Sequence, residues 1–561
     1  MASELDIRKH CQSRMKALVL DQSSWLSHWR ELSDYILPRR GRFLYTANQN
    51  DKGRKLNSKI INSTGTIAAR VLAAGLMSGI TSPARPWFRL TLSDKRLAKS
   101  PAVRAWLDAV QDTLLRIFAR SNFYNALGVA YEELGVFGTA SVMALEDYED
   151  VARFYVMTAG EYWLGASNRG VVDTHYRRFP FTIGALVQEY GLENVSEQSR
   201  MHYKAGTLDL EVIVVHAIEP NDSRVLDVPD ARNMKWRSIH YEEAASDTKN
   251  PLLRVSGFRN FPAMCPRWHL TGNDVYGRCP GMDALPDIKA LQSMEKDKAR
   301  AIALSVKPPM GGPPQLQSMA HGAVPGSVTY SPPGPNGDPT FKPLFQIDPR
   351  INELMQDLQA KEEQVRRAFY ADLFLMISQL EDVRSATEIV ERREEKLLQL
   401  GPMLERLHDE LLDPLIKRVM EIAENAATSD RSILPPRPDE LQGQDIEIEY
   451  VSTLSAAQRA TGTASIERFV SFVGRIGAAK PEALDRLDVD ETIDAYGDLV
   501  MVPSAIVVPI KTAAAERQAR AQAAAAKQAL ETSLAAVKGA EVASKIDVGG
   551  GRNAIQAALG G

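Results

Sequence analysis

A proline- and glycine-rich segment between two strongly helical regions is the feature that most restricts how this chain can fold. Residues 307–343 contain ten of the chain's 31 prolines and six of its 36 glycines. A helix cannot pass through such a segment, because proline lacks an amide N–H and its ring clashes with the preceding turn. Composition alone leaves a disordered linker open, whereas Val324, Val328, Tyr330 and Phe341 favour a small excursion that contains β-structure.

The two regions that flank this segment carry helical patterns. Residues 283–306 predict one helix, and residues 349–426 have apolar residues at helical spacing in two successive stripes. Gly401-Pro402 and Pro414 fall inside the second stripe and are expected to kink or break it. The stretch Ser378–Ala386 lies between the stripes, lacks the pattern and is predicted to be a loop.

The first 280 residues combine helices with a β-rich segment. Amphipathic spacing predicts helices at residues 5–37, 58–80 and 101–136. Small residues dominate 58–80, so neighbouring backbones can approach this helix closely. Short runs of β-branched and aromatic residues, separated by turn residues, predict strands across 137–280.

The end of the chain returns to helix after a proline-marked boundary. Pro435, Pro436 and Pro438 precede a short predicted strand at Ile446–Val451. A helical region follows at 455–500, and the alanine-rich residues 512–545 favour helix by propensity.

Composition narrows the class of protein. The chain has 561 residues, 44% of them hydrophobic and 25% charged, which is typical of a globular protein with two to four domains. The net charge of −4 indicates no strong overall attraction to nucleic acid. It is compatible with a channel through which DNA slides, and equally with no contact with DNA at all. Three widely spaced cysteines predict neither a disulfide framework nor a zinc site. The longest apolar stretch, 67–80, is shorter than the roughly 20 residues that a bilayer requires, so no membrane partner is expected.

Motifs of enzyme chemistry are missing from the sequence. There is no phosphate-binding GxxxxGK[ST] loop, no HExxH zinc motif and no GxSxG nucleophile motif. Acidic clusters occur at 146–150 and at Glu381-Asp382, but neighbouring carboxylates in sequence do not by themselves form a two-metal nuclease site. A solvated turn is the simpler interpretation of the first cluster. We therefore predict no catalytic residue, no metal ligand and no cofactor.

A line of basic residues on the helix at 283–306 is the strongest candidate binding feature. Lys289, Lys296 and Arg300 lie within about 20° of one line at 100° per residue, and Lys307 would extend it. Such a line can face phosphates. The competing interpretation is that these side chains pair with acidic residues of the next helix or subunit, for example Glu353 or Asp357.

Several local motifs resemble the podovirus head-to-tail connecting proteins, the portal family of short-tailed double-stranded DNA bacteriophages. The segments that carry the resemblance are WLSHWRELSDYILPRRGRF at 25–43, LAAGLMSGITSPARPWFRL at 72–90, GNDVYGRCPG at 272–281 and the run at 380–418. The resemblance covers roughly residues 15–500. It implies an α+β, mainly helical portal fold, assembled as a ring and composed of wing, stem, clip and crown.

The resemblance also implies an assignment of the predicted elements to the parts of a portal. These are the wing at 1–282, which includes the β-rich segment 137–280; a first stem helix at 283–306; the clip at 307–347; a second stem helix at 348–377; a tunnel loop at 378–387; the long wing helix and return strand at 388–450; the crown at 451–511; and an alanine-rich helix, barrel or flexible tail at 512–561.

The function implied by the resemblance is that of a non-enzymatic connector at one capsid vertex of the virion, assembled in the host cytoplasm. Its expected partners are further copies of itself, typically as a dodecamer, double-stranded DNA in the channel, the terminase large subunit, a tail adaptor or tail proteins, and the major capsid and scaffolding proteins.

Candidate site residues follow from these expectations. The channel or DNA-facing set is Lys289, Lys296, Arg300, Lys307, Glu381, Asp382 and Arg384, and the clip docking set is Pro313, Pro314, Tyr330 and Phe341. Two other classes of protein remain open at this point. One is a structural ring or scaffold that contacts no DNA, and the other is a DNA-packaging enzyme, against which the missing phosphate loop argues.

Overall fold

A computed structural model gives the architecture of the chain. It describes residues 3–45, 57–98, 100–225, 228, 230–245, 249–306, 308, 310–311, 342–343, 350–378, 400–428, 431–441, 443–450, 466–477, 480, 487–500, 508 and 510–545.

Helices make up most of the described residues. They are α1 (Glu4–Tyr35), α2 (Arg42–Tyr45), α3 (Thr64–Ile80), α4 (Lys95–Ala98), α5 (Pro101–Arg120), α6 (Phe123–Phe137), α7 (Ile183–Tyr190), α8 (Glu197–Lys204), α9 (Pro280–Val306), α10 (Ile351–Ala368), α11 (Ala371–Ser378), α12 (Gly401–Leu407), α13 (Asp413–Asn425), α14 (466–477), α15 (Val489–Val500) and α16 (Ile510–Lys545).

Strands are concentrated between α6 and α9. They are β1 (Phe88–Leu92), β2 (Ser141–Asp147), β3 (Val151–Met157), β4 (Tyr162–Ala166), β5 (Val172–Thr182), β6 (Glu211–Pro220), β7 (Trp236–Glu242), β8 (Arg254–Phe258), β9 (Ala263–Met264), β10 (Met310–Gly311), β11 (Lys342–Pro343), β12 (Ala427–Thr428), β13 (Arg431–Ser432) and β14 (Ile446–Tyr450). The predicted α+β, mainly helical fold is confirmed.

The sheets are antiparallel and small. The largest has the order β4-β5-β6-β7-β8, a second has the order β3-β2-β9, and β1 with β14, β10 with β11, and β12 with β13 form two-stranded ribbons. The β-rich segment predicted over 137–280 is therefore present, and it contains β2 to β9.

The chain divides into two compact units. The first comprises residues 1–90, 108–436 and 447–454, and the second comprises 91–107, 437–446 and 455–561. In the first unit, α1 covers one face of the five-stranded sheet with Cys11, Met15 and Leu18, which pack among sheet residues such as Trp163 and Tyr176. In the second unit, Arg517 of α16 donates to Asp490 of α15 over 2.6 Å.

The helix predicted over 101–136 is interrupted at Asn122. Its side-chain amide donates to the Phe154 carbonyl over 2.7 Å, and its Oδ1 accepts from the Phe154 N–H over 2.9 Å. Because Asn122 bonds the backbone of β3 in this way, the chain ends α5 at Arg120 and begins α6 at Phe123. The continuous helix expected from spacing was wrong for that reason.

The first apolar stripe of 349–426 also spans two helices rather than one. Tyr370 adopts a φ of 55°, in the left-handed region that ends helices, and separates α10 from α11. The second stripe is interrupted by a π-helical turn, His408–Leu412, just before Pro414. Proline offers no N–H to the carbonyl one turn back, so the predicted interruption there is confirmed.

Candidate functional site

The candidate site is the helix pair α9 and α10, and it is built upward from the junction that begins α9. Pro280 begins the helix, a position where its missing N–H costs nothing. Just before it, the Tyr276 hydroxyl accepts hydrogen bonds from Gln22 Nε2 at 2.9 Å and from the Leu164 N–H at 3.0 Å. The Tyr276 ring also meets Trp29 edge-on at 5.1 Å. The junction is thereby fixed to α1 and to β4.

Glycines at this junction are required by close backbone contacts. A Cβ on Gly277 would lie 2.4 Å from the Gly138 carbonyl oxygen, and a Cβ on Gly281 would lie 2.9 Å from that of Val136. Real Cβ atoms do not approach backbone this closely, so larger residues would push α9 away from the end of α6. Two glycines of the segment 272–281, which carries part of the family resemblance, therefore have a packing role in this chain.

The loop before α3 ties the helix pair to the rest of the first unit. Gln292 Oε1 accepts from the N–H groups of Ile61 and Asn62 at 2.7 and 2.8 Å, and Gln292 Nε2 donates to the Asn62 carbonyl at 2.7 Å. The Asn62 side chain donates to Glu362 of α10 at 2.8 Å. Lys361 of α10 pairs directly with Asp287 of α9 at 2.8 Å.

The small residues of α3 allow the close packing that the sequence predicted. A Cβ on Gly75 would lie 2.1 Å from the Phe374 ring of α11, and one on Gly65 would lie 2.9 Å from Ile288 Cδ1 of α9. Because Gly75 and Gly65 have no Cβ, the backbone of α3 packs closely against α11 and against the inner part of α9.

Burial along α9 changes abruptly beyond this base. Ile288 and Leu291 are fully buried, and Gln292 is 6% exposed. One turn or more further on, Ile302, Leu304 and Val306 are 41%, 37% and 69% exposed. The outer half of α9 therefore presents apolar side chains that its own chain does not cover among the described residues.

Comparison with known proteins decides the family. The sequence profile described as "Bacteriophage head to tail connecting protein" matches residues 8–507. A "Probable portal protein" of Bordetella phage BPP-1 is 43% identical over 541 residues, which is 96% of this chain and 95% of that protein. The "Portal protein" of Salmonella phage epsilon15 is 41% identical over 527 residues, or 94% and 93% of the two chains.

The chain belongs to the bacteriophage head-to-tail connecting proteins. Its role is that of a structural portal protein of the phage virion, which joins head to tail, and the expectation that it is not an enzyme is supported by the family and by these relatives. Among solved structures, a chain from the neck of an empty gene transfer agent particle, computed with C6 symmetry, is similar with a TM-score of 0.34 and 13% identity. That likeness covers 78% of this chain and 90% of the other.

In this connector, the basic line on α9 is partly paired within the chain. Lys289 lies 3.2 Å from Glu31 of α1 and 6.0 Å from the centre of the Tyr35 ring. Arg300 lies 3.6 Å from Asp297 on its own helix, and Lys296 is exposed without an acidic partner among the described residues. Lys289 thus has an acidic partner, as the competing interpretation held, but on α1 rather than at Glu353 or Asp357.

The remaining candidate residues of the connector lie outside the described residues. They are Lys307, Pro313, Pro314, Tyr330, Phe341, Glu381, Asp382 and Arg384. The two ends of the proline-rich segment are described, and there Met310 pairs with Pro343 and Gly311 with Lys342 in an antiparallel ribbon.

An ion pair that sequence reasoning did not find links the β-rich segment to the π-helical turn of the connector. Arg267, only 3% exposed, donates from its backbone N–H to Glu410 over 2.9 Å and from its guanidinium to the same carboxylate over 2.6 Å. The partners are 143 residues apart and share no motif, so no local signal could have revealed the pair.

Two other features, a metal centre and a membrane-spanning helix, do not occur in the part of the connector that the structure describes. In that part, no three His, Cys, Asp or Glu side chains are placed to hold a metal ion. Nor does any of its helices have the length and apolar character needed to cross a membrane.

Proposed function

We propose that this connector assembles as a closed ring of about twelve copies around an axial channel, through which double-stranded DNA is packaged, retained and ejected. The observation that carries the proposal is the contrast along α9, whose base is clamped by the chain's own residues while its outer half exposes apolar side chains. Identical subunits related by rotation would cover this surface with a neighbour's surface.

The parts of the ring follow the order of the elements. The wing would comprise 1–282 and 388–450, the stem helices 283–306 and 348–377, the clip 307–347, the tunnel loop 378–387, the crown 451–511, and an alanine-rich helix or barrel 512–561. The antiparallel pairing of Met310–Gly311 with Lys342–Pro343 supports a clip that leaves and rejoins the stem at one place.

The charged residues of the stem and tunnel loop would guide DNA without gripping it. Lys296 and Arg300 are the candidates for phosphate contacts among the described residues, and Lys307, outside them, is a third. Lys289 is paired with Glu31. Glu381 and Asp382 would repel phosphates, and Arg384 would either contact them or pair with the loop of a neighbouring subunit. Few contacts suit a sliding polymer, because each phosphate contact adds salt-sensitive affinity.

The partners of the ring would meet it at different surfaces. The clip, through Pro313, Pro314, Tyr330 and Phe341, would dock the terminase large subunit during packaging and the tail adaptor afterwards. The wing would contact the major capsid and scaffolding proteins, and assembly would take place in the host cytoplasm. ATP hydrolysis would belong to the terminase, since this sequence has no phosphate-binding loop.

Native mass spectrometry and negative-stain microscopy test the ring. Twelve copies of 62.0 kDa give about 744 kDa, and the images should show an axial hole. Leu304→Glu should prevent assembly, because it places a charge in the proposed subunit contact, yet leave the monomer folded.

Met201→Glu is the matched control, since Met201 is an exposed apolar residue of the short helix α8. Rings should form normally in this variant. If the unchanged chain forms only monomers or dimers at all salt and protein concentrations, the proposal is refuted. If Leu304→Glu still forms rings, the outer half of α9 is not part of the contact between subunits.

A further inference from the structure

The five-stranded sheet carries an unusual row of side chains on the face opposite α1. The strand register pairs Arg177 with His216, His216 with His240, and His240 with Arg254. Directly paired residues point to the same face of a sheet, so four neighbouring strands place an Arg-His-His-Arg row side by side. This row is called the Arg–His row below.

The Arg–His row lines a cavity of about 890 Å³. The β2–β3 hairpin and α13 contribute the opposite side of that cavity. The other face of the same sheet is apolar and packs against α1. The face that carries the row also packs in part against α7, through apolar residues such as Val214 and Phe181. Beside this apolar cluster, the cavity brings cationic and polar groups together.

The charge of the cavity is unbalanced in favour of cations. Four arginines and three glutamates line it, which leaves an excess of one positive charge. Arg254 is paired with Glu189 at 2.9 Å, and Arg418 with Glu421 at 2.9 Å. Arg177 has no carboxylate partner among the described residues. Its Nε donates to the neutral His216 Nδ1 over 3.3 Å, and its guanidinium lies 4.4 Å from the centre of the Phe179 ring.

The two histidines of the row are buried and neutral. Their rings stack at 3.8 Å. Burial is the main cause that lowers the pKa of His240 to about 3 and lowers the pKa of His216 well below its usual value, and Arg177 lowers both further. His216 Nε2 donates to the Ser238 hydroxyl at 2.9 Å, because its Nδ1 already accepts from Arg177. His240 Nδ1 is buried and has no hydrogen-bond partner among the described residues.

We propose that this cavity is a binding site for an oxyanion, a phosphate, sulfate or carboxylate group, held by Arg177 with the help of His240. A partly buried guanidinium without a carboxylate is the group that recognises such anions best, since it donates parallel hydrogen bonds to two oxygens. The orphaned nitrogen of His240 would gain a partner when its ring takes up a proton beside the anion.

Binding would accordingly be coupled to proton uptake. The titratable and charged groups that line the cavity around the histidines are Arg177 and Arg254 in the row, Glu146 and Tyr155 on the hairpin, Glu189 and Tyr190 on α7, Arg259 after β8, and Arg418 and Glu421 on α13. Outside the cavity, His175 also acts electrostatically on His216, and Glu161 on Arg177. An added anion offsets the arginines that keep the imidazoles neutral. The pKa of His240, about 3 without an anion, should rise when an anion is bound beside it. The affinity for the anion should therefore rise as the pH falls toward this raised pKa.

Isothermal titration of the full-length protein with sulfate tests the proposal. Sulfate keeps its charge between about pH 6 and about pH 8, so any proton that is taken up belongs to the protein. We expect tighter binding at the lower pH and heat changes that depend on the ionisation enthalpy of the buffer. Arg177→Gln should weaken binding about tenfold or more, the effect of losing a charged hydrogen-bond donor.

Two further variants separate binding from folding. Arg177→Lys keeps the charge and should bind sulfate more weakly than the unchanged chain but better than Arg177→Gln, because lysine cannot donate in parallel. Arg178→Gln is the matched control, since Arg178 is the next residue along β5 and pairs with Glu243. Its sulfate affinity should not change.

The titration has three possible outcomes. Two of them identify the source of the anion, and the third contradicts the proposal. Sulfate binding to assembled protein supports a free anion as the ligand. Binding only to dissociated chains supports a carboxylate of a second copy as the natural occupant. No sulfate binding in either form, or equal losses in Arg177→Gln and Arg178→Gln, would overturn the proposal whatever the fate of the ring.

Discussion

The two halves of α9 belong to one helix but have opposite relations to the rest of the chain. The inner half, 280–292, has one buried face, begins at a glycine-dependent junction and is tied by Gln292 to the loop before α3. The outer half, 293–306, accepts one hydrogen bond from the same loop, from Asn62 to Glu295 at 3.3 Å, and beyond that it exposes the apolar residues Ile302, Leu304 and Val306. The inner half serves the stability of the single chain, whereas the outer half is available to something outside it.

The largest effect is expected where the backbone itself blocks a side chain. Gly277→Ala should cost about 3 kcal/mol or more of unfolding free energy, because the new Cβ meets the Gly138 carbonyl at 2.4 Å and backbone cannot move aside cheaply. Denaturant unfolding measures the effect. Gly79→Ala is the control, since a Cβ there meets nothing within 4 Å and the helix gains propensity. An unchanged midpoint of denaturant unfolding for Gly277→Ala would show that this glycine does not contribute to the stability of the inner half of α9.

A smaller loss is expected at the clamp. Gln292→Ala leaves the N–H groups of Ile61 and Asn62 and the Asn62 carbonyl without their partner, and orphaned polar groups of this kind cost about 1–3 kcal/mol. The same unfolding experiment measures it. Ser293→Ala, at the exposed next position, should be close to neutral. If both substitutions behave alike, the loop before α3 does not anchor α9.

The smallest effect on unfolding free energy is expected at the outer half of α9. It tests directly whether the two halves of this helix differ in how far the chain itself covers them. Ile302→Ala should change the stability of the monomeric chain by no more than about 0.5 kcal/mol, because the side chain is already 41% exposed. Ile288→Ala, on the same helix but fully buried, should cost about 2–5 kcal/mol. Equal losses in the monomer would show that the outer half is covered by its own chain.

The spacing of apolar residues predicted helices and strands correctly where the tertiary packing buries the same residues. The apolar stripe of the first helix is buried at Leu18, Trp29 and Leu32, and the glycine-containing α3 packs as closely as its composition suggested. The prediction of one helix over 101–136 was wrong because the side chain of Asn122 forms two hydrogen bonds with the backbone of Phe154 in β3. Spacing cannot anticipate such a competitor, since it lies more than 30 residues away in sequence.

The candidate site was only partly accessible to sequence reasoning. The basic line on α9 followed from helical geometry, but the partner of Lys289 is Glu31, 258 residues distant. The assignment of the line to a DNA channel remains a prediction. The Arg–His row gave no signal, because its members lie on four strands separated by loops and by α7 and α8.

The sequence by itself determined the order of helices and strands, the position of the proline-rich interruption and the absence of common enzyme motifs, because these depend on neighbouring residues alone. Only the tertiary structure decided that Arg177, His216, His240 and Arg254 stand in one row, since antiparallel register sets which residues meet. It also decided that α9 is clamped at one end and exposed at the other. Burial is a property of what lies opposite a side chain, and no run of adjacent residues specifies that.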